Sequence, residues 1–278
     1  MLRGLMLGLL LAGIGEVRAQ ETDSLFLENH RDTTAVPFVQ IQRKPAEAFM
    51  KSRIHFISDF FKKFNDTTAL DESPSTARHL RVLELMDASV LASKASLVEQ
   101  CLETLGEQPI QPTQEGLYAE VSLQIRWQQE VRKVNLYLKK QQQAGNWSWQ
   151  LLDVDAEFPP SSGALMSATD SLVFIPPNAH ELNFMALPRI MRVGVNFGSC
   201  IHPDRSPRLM AFVRAVANEE AQVLLSLDSQ LWWPIHQGWW LKIQSFSRET
   251  EPSGWLISDL GQRPQDLPPA LRAFWKPE

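Results

Sequence analysis

Beyond its first residues the chain has no uninterrupted apolar run of ~18 residues, so no later segment could cross a bilayer as a helix. Basic residues do not cluster, and 27 Lys+Arg stand against 32 Asp+Glu, for a net charge of −5. That balance excludes an electrostatic nucleic-acid binder. Only two cysteines occur, so at most one internal bridge can form. The motifs of familiar chemistry are missing as well. There is no HExxH, no CxxC pair and no regular His spacing for a metal. No Gly-x-Ser-x-Gly turn exposes a nucleophile, and no glycine-rich loop cradles a phosphate.

What the chain does have begins at its amino terminus. Arg3 is a short basic region, the stretch from Gly4 to Gly15 is apolar, and Val17-Arg18-Ala19 fits a small-x-small cleavage pattern. Together they predict a signal peptide over 1–19 and a mature chain from Gln20, in a periplasmic or extracellular location. Cleavage removes Arg3, Arg18 and Glu16, leaving 25 basic against 31 acidic residues. In an oxidising compartment Cys101 and Cys200 admit one bridge between the two halves of the chain; the other reading is two buried thiols.

The remainder divides by its punctuation. Residues 20–44 are polar and read as an extended leader. From Pro45, the apolar residues Phe49, Met50, Ile54, Ile57, Phe60, Phe61 and Phe64 recur at helical spacing on one face. A second helix is predicted from about Ser75 to Met86, and a third apolar-periodic segment from Ala88 to Leu105, stopped by Gly106. The period then changes to two. Val121, Leu123, Ile125 and Trp127 form one strand, Val134, Leu136 and Leu138 a second, and Trp147, Trp149 and Leu151 a third. Residues 158–178, with Pro159-Pro160-Ser161-Ser162-Gly163, read as a linker.

The second part, 179–262, echoes the first unit, 45–157, and is followed by a tail at 263–278. It opens with a helical stretch near Ala179 to Met191 that Pro188 breaks. Met210, Phe212, Val213, Ala215 and Val216 match Leu80, Val82, Leu83, Leu85 and Met86. Val223, Leu225 and Leu227 match Val121, Leu123 and Ile125. The clearest echo sets Trp149-Gln150-Leu151-Leu152-Asp153-Val154 against Trp255-Leu256-Ile257-Ser258-Asp259-Leu260. The predicted class is α+β, two repeated units, each with helices on an antiparallel meander of three to four strands.

Gly145-Asn146-Trp147-Ser148-Trp149 in one copy and Gly254-Trp255-Leu256-Ile257 in the other close such meanders. In this the chain resembles tandem NTF2-like (cystatin-like) α+β domains of secreted proteins. That family holds enzymes and catalytically silent binding modules, and in its enzymes an acidic residue in the cone acts as base. The resemblance therefore points to Asp153 and Asp259, whereas an Asp at the end of an oily strand more often takes a turn hydrogen bond.

Other candidates are weaker. His202-Pro203-Asp204-Arg205 is the densest polar cluster, beside Cys200, and reads as a structural turn. His180-Glu181 and His236 are isolated. Trp232, Trp233, Trp239 and Trp240 flank one turn, so neighbours face opposite sides of the sheet. If one side is open, these tryptophans form a binding surface for a sugar ring or a protein; if both sides are covered, they are core. Asn65-Asp66-Thr67 and Asn146-Trp147-Ser148 are glycosylation sequons, relevant only in a eukaryotic secretory pathway.

The function these features predict is non-enzymatic binding or scaffolding, with a protein or cell-envelope component as partner. No cofactor or metal is implied, nor any transmembrane segment after cleavage. The alternatives are an NTF2-like hydrolase or isomerase and a carbohydrate-binding module.

Overall fold

The two predicted meanders are halves of one sheet. The computed structural model describes residues 56–67, 73–105, 116–143, 145–159, 174–192, 198–248 and 253–275, all within one compact unit, Lys44–Glu278. The predicted signal peptide, the leader and the helix start at Pro45 lie outside the described residues, as does most of the linker expected at 158–178.

Among the described residues four helices precede the sheet: α1 Ile57–Phe64, α2 Pro74–Glu84, α3 Ala88–Ser93 and α4 Ala95–Leu105. The single segment expected from Ala88 to Leu105 is thus two helices, broken at Lys94. α2 starts as its sequence dictates, with Ser73 accepting from the Thr76 amide and Pro74 in the first turn. The first meander is β1 Tyr118–Trp127, β2 Glu130–Gln143 and β3 Asn146–Val154. A short 3-10 turn, Ala179–Leu182, and the four-residue helix α5, Leu187–Ile190, replace the expected helical stretch; the interruption falls at left-handed Asn183 and Phe184, and Pro188 sits in the first turn of α5 rather than breaking it. Then come α6 Pro207–Ala217, β4 Ala221–Pro234, β5 Trp240–Phe246, β6 Gly254–Gly261 and the short α7 Pro269–Arg272.

The strand order is β3-β2-β1-β4-β5-β6, antiparallel throughout. The meanders meet at β1 and β4, which pair antiparallel. On the first face, Val121, Leu123, Ile125, Leu136, Leu138, Leu231, Leu241 and Ile243 are buried with α1, α2 and α6 residues in one core. Alternation therefore predicts the covered face correctly in β1 and β2.

In β4 it does not. Two bulges insert Leu224 and Leu227, so Leu123 faces Ser226 and Val121 faces Ser229. Ser229 is buried, whereas Leu225 and Leu227, the residues matched to Leu123 and Ile125 by sequence, are exposed. An extra residue shifts every later side chain to the other face, which a strict period of two cannot anticipate.

The second face carries a smaller core. Tyr118, Tyr137, Leu152, Trp232 and Trp240 are buried there beneath Leu267, Ala270, Leu271 and Trp275 of the carboxyl-terminal segment. Gly261 matters to this packing: a Cβ at that position would lie 2.4 Å from Cζ2 and 2.7 Å from Cε2 of Trp240. Trp240 is fully buried and has no room to yield. Gly261→Ala is therefore expected to cost about 1–3 kcal/mol, measured as a lower urea midpoint.

Candidate functional site

The tryptophan hairpin is not a binding surface. Trp232, Trp233, Trp239 and Trp240 are all at most 4 % exposed. Neighbours do face opposite sides, as alternation requires, but both sides are covered. Trp233 lies edge-on to Phe61 and Phe64 of α1, each with ring centroids 4.9 Å away. Trp232 and Trp240 pack on each other at 5.3 Å under the carboxyl-terminal segment.

Asp153 and Asp259 occupy matched sites on the two edge strands. Each follows a bulge, formed by Leu152 in β3 and Ser258 in β6. Each accepts the amide of the next residue, Val154 or Leu260, at 2.8 Å. Each also binds a cation from a helical segment of the other half. Arg208 Nη2 lies 2.5 Å from Asp153, and Lys94 Nζ lies 2.5 Å from Asp259. Ser206, the cap of α6, gives Asp153 a further hydrogen bond. A carboxylate so engaged pins a helix and is poorly placed to remove a proton from a ligand.

The preceding strand residues match too. Leu151 forms a parallel bridge to Ile201, and Ile257 forms one to Met86. The segment from the second half thus borders the first half's edge strand, and the reverse holds at the other edge.

The loop from Cys200 to Arg205 is built around the first of these bridges. The His202 amide donates to Leu151 O at 2.9 Å, and His202 Nδ1 accepts from the Asp204 amide at 3.0 Å. Arg205 donates to Pro203 O. The cluster is a turn whose polar groups serve the backbone. Cys101 and Cys200 are buried thiols, and burial pushes them up to about 12 and about 11. The helix carrying Cys101 packs on β6 and the turn carrying Cys200 on β3, the two opposite edges of the sheet. Among the described residues no group of three or more His, Cys, Asp or Glu is placed to hold a metal. Nor is any helix among them long and apolar enough to cross a membrane.

His180 and Glu181 prove to be connected across the fold. The Glu181 carboxylate accepts the Ile57 amide at 3.0 and 3.1 Å, capping α1 from a position 124 residues away. Phe56, the residue preceding α1, supplies no cap of its own. His180 is 4 % exposed, lies 5.8 Å from the Trp149 ring and 3.6 Å from Glu181. Neither ring nitrogen makes a hydrogen bond of ordinary geometry. Burial, with the Lys140 charge nearby, pushes the imidazole down to about 4, and the Pro177 carbonyl opposes this only in part. The folded state therefore holds fewer protons than the unfolded chain between about 6.5 and about 4. Stability from this group is complete above that window and is lost as pH falls through it. A His180→Leu variant is expected to lack that part of the acid loss, seen by comparing urea midpoints at pH 7 and pH 4.5.

One feature escaped sequence reasoning. Asn183 and Phe184 are consecutive left-handed residues, with φ of 47° and 54°. Phe184 is buried against Trp149 at 5.4 Å. Asn183 is fastened to bulged β4: its carbonyl accepts from Ser226 Oγ and its Oδ1 from Ser229 Oγ. Flanking this turn, Leu182 and Met185 are 68 % and 70 % exposed. Beside the two serines on β4, Leu225 and Leu227 are also exposed. The strained, anchored turn thus leaves two large apolar side chains, Leu182 and Met185, at the surface on either side of it. Only the Asn at 183, a type that tolerates a left-handed backbone, hinted at it.

Compared with known proteins, the chain matches no family model, no curated protein and no solved structure.

Proposed function

We propose that this is a non-enzymatic binding or scaffold protein, built of two copies of one α+β unit. It works in the periplasm or outside the cell, on a protein or another envelope component. The observation that carries the binding reading is the exposed pair Leu182 and Met185 flanking the strained Asn183-Phe184 turn. Left-handed non-glycine residues cost of order 1–3 kcal/mol each and persist where contacts over-determine them, often at sites of function. Exposed apolar groups gathered in one place mark interaction surfaces. The signal-peptide pattern at 1–19 supports the location.

Duplication is supported by the matched bulge, parallel bridge, Asp–amide bond and Asp–cation pair at the two sheet edges. Each copy is read as an NTF2-like arrangement of helices over a meander, with helical segments exchanged between copies. The hydrolase or isomerase alternative is disfavoured because its two candidate bases are held by cations and backbone amides.

A photo-crosslinking side chain at position 185 tests the binding reading. In envelope preparations it is expected to give one protein adduct, identified by mass spectrometry, and Leu182→Asp should abolish it without changing the melting midpoint. The same adducts from a crosslinker at exposed Gln222, or none at 185, would count against this surface.

A further inference from the structure

The second face of the sheet holds its cover as a receptor holds a peptide. Residues 264–275 form a 3-10 turn, Pro264–Asp266, and the single-turn helix α7. Among the described residues, the segment's main-chain hydrogen bonds close within itself. Leu267 and Asp266 donate back to Pro264 and Arg263, Leu271 and Arg272 to Pro268, and Phe274 to Leu271. The Arg272 guanidinium adds an internal staple to the carbonyls of Gln265, at 2.7 Å, and Leu267, at 3.1 Å.

The sheet grips this unit differently. Two aromatic side chains of the sheet donate to its main-chain carbonyls, Tyr118 Oη to Phe274 O at 3.0 Å and Trp240 Nε1 to Arg263 O at 3.3 Å. Apolar sockets take Leu267, Leu271 and Trp275, the last stacked on Tyr118 at 5.8 Å. Donors that read carbonyls, with sockets for alternate apolar side chains, are the means by which proteins recognise short segments in trans. The hold is also incomplete, since Trp275 Nε1 is buried without a hydrogen-bond partner.

We propose that residues 264–275 are a releasable strap, and that the aromatic groove they fill accepts the strap of a second copy, pairing two chains by exchange of carboxyl-terminal segments. The contacts that seat the strap in cis are the same in trans, so only the tether favours the closed monomer. A short tether is equivalent to a local concentration in the millimolar range. Exchange therefore becomes visible as protein concentration approaches that range.

Three measurements on the full chain decide it. Amide hydrogen exchange of the wild type should show residues 265–275 exchanging ahead of β1 and β4; exchange only in step with those strands would overturn the proposal. Next, Leu271→Asp should empty the groove, and a fluorescent peptide of residues 264–275 should bind this variant and not the wild type. Failure of the peptide to bind a variant whose sheet still melts cooperatively would overturn it. Should Leu271→Asp fail to fold, Trp275→Ala serves as the second opened variant with the same expectations. At about 1 mM the wild type should yield a dimer by light scattering and Leu271→Asp should not; dimers equally abundant in both would refute exchange through the strap.

Discussion

Replacing Trp233 by alanine is expected to destabilise the protein by about 3–5 kcal/mol, as for other buried aromatic truncations. The indole is 2 % exposed and closes the interface between β4 and α1 through Phe61 and Phe64. A loss of that size is a large share of the ~5–15 kcal/mol available to a typical domain. Urea denaturation followed by circular dichroism should show it, with partner binding weakened only to the extent that the protein unfolds. A stable Trp233→Ala protein would mean that packing against α1 contributes little. The same measurement tests cooperativity. Both meanders share one sheet and one core, so a single transition is expected, whereas two independent domains would give two.

The second large effect is an asymmetry between equivalent residues. Asp153→Asn is expected to cost about 1–2 kcal/mol, because the Ser206 hydroxyl and the Arg208 guanidinium lose a charged acceptor at a buried position, a loss moderated by solvent because the Arg208 side chain is itself 36 % exposed. The Asp153 side chain is 3 % exposed. Asp259→Asn should cost under about 1 kcal/mol, since Lys94 and Asp259 are each more than one-third exposed and water screens the pair. Paired urea titrations of the two variants, with Arg208→Met and Lys94→Met completing double-mutant cycles, give both coupling energies. Equal losses would show that exposure does not set the difference.

The legibility of this fold varies element by element. β1 and β2 could be read because their outward residues are polar, which leaves a clean alternation. β4 could not, because the bulges at Leu224 and Leu227 break the period inside the strand. The Trp-x-Leu-Leu-Asp-Val echo marked two positions that do share their local geometry. Their cations, Arg208 and Lys94, lie 55 and 165 residues away in the chain. Nothing local announces such partners. The Glu181 cap of α1 was equally hidden, because helix signals are sought beside the helix and this one arrives through space.

By itself the sequence determined a helix from about Ser75, the two meanders and the opposed facing of neighbouring tryptophans. Each of these depends on backbone sterics or on the side-chain period, which act over a few residues. Tertiary structure alone decided that the meanders join into one sheet, that both of its faces are covered at the tryptophans, and that each edge strand is bordered by a segment of the other half. It also decided that Leu182 and Met185 remain outside. Burial depends on what arrives from elsewhere in the chain, and the solvent-facing side of a strand becomes core only when a distant segment, such as Leu267 to Trp275, settles on it.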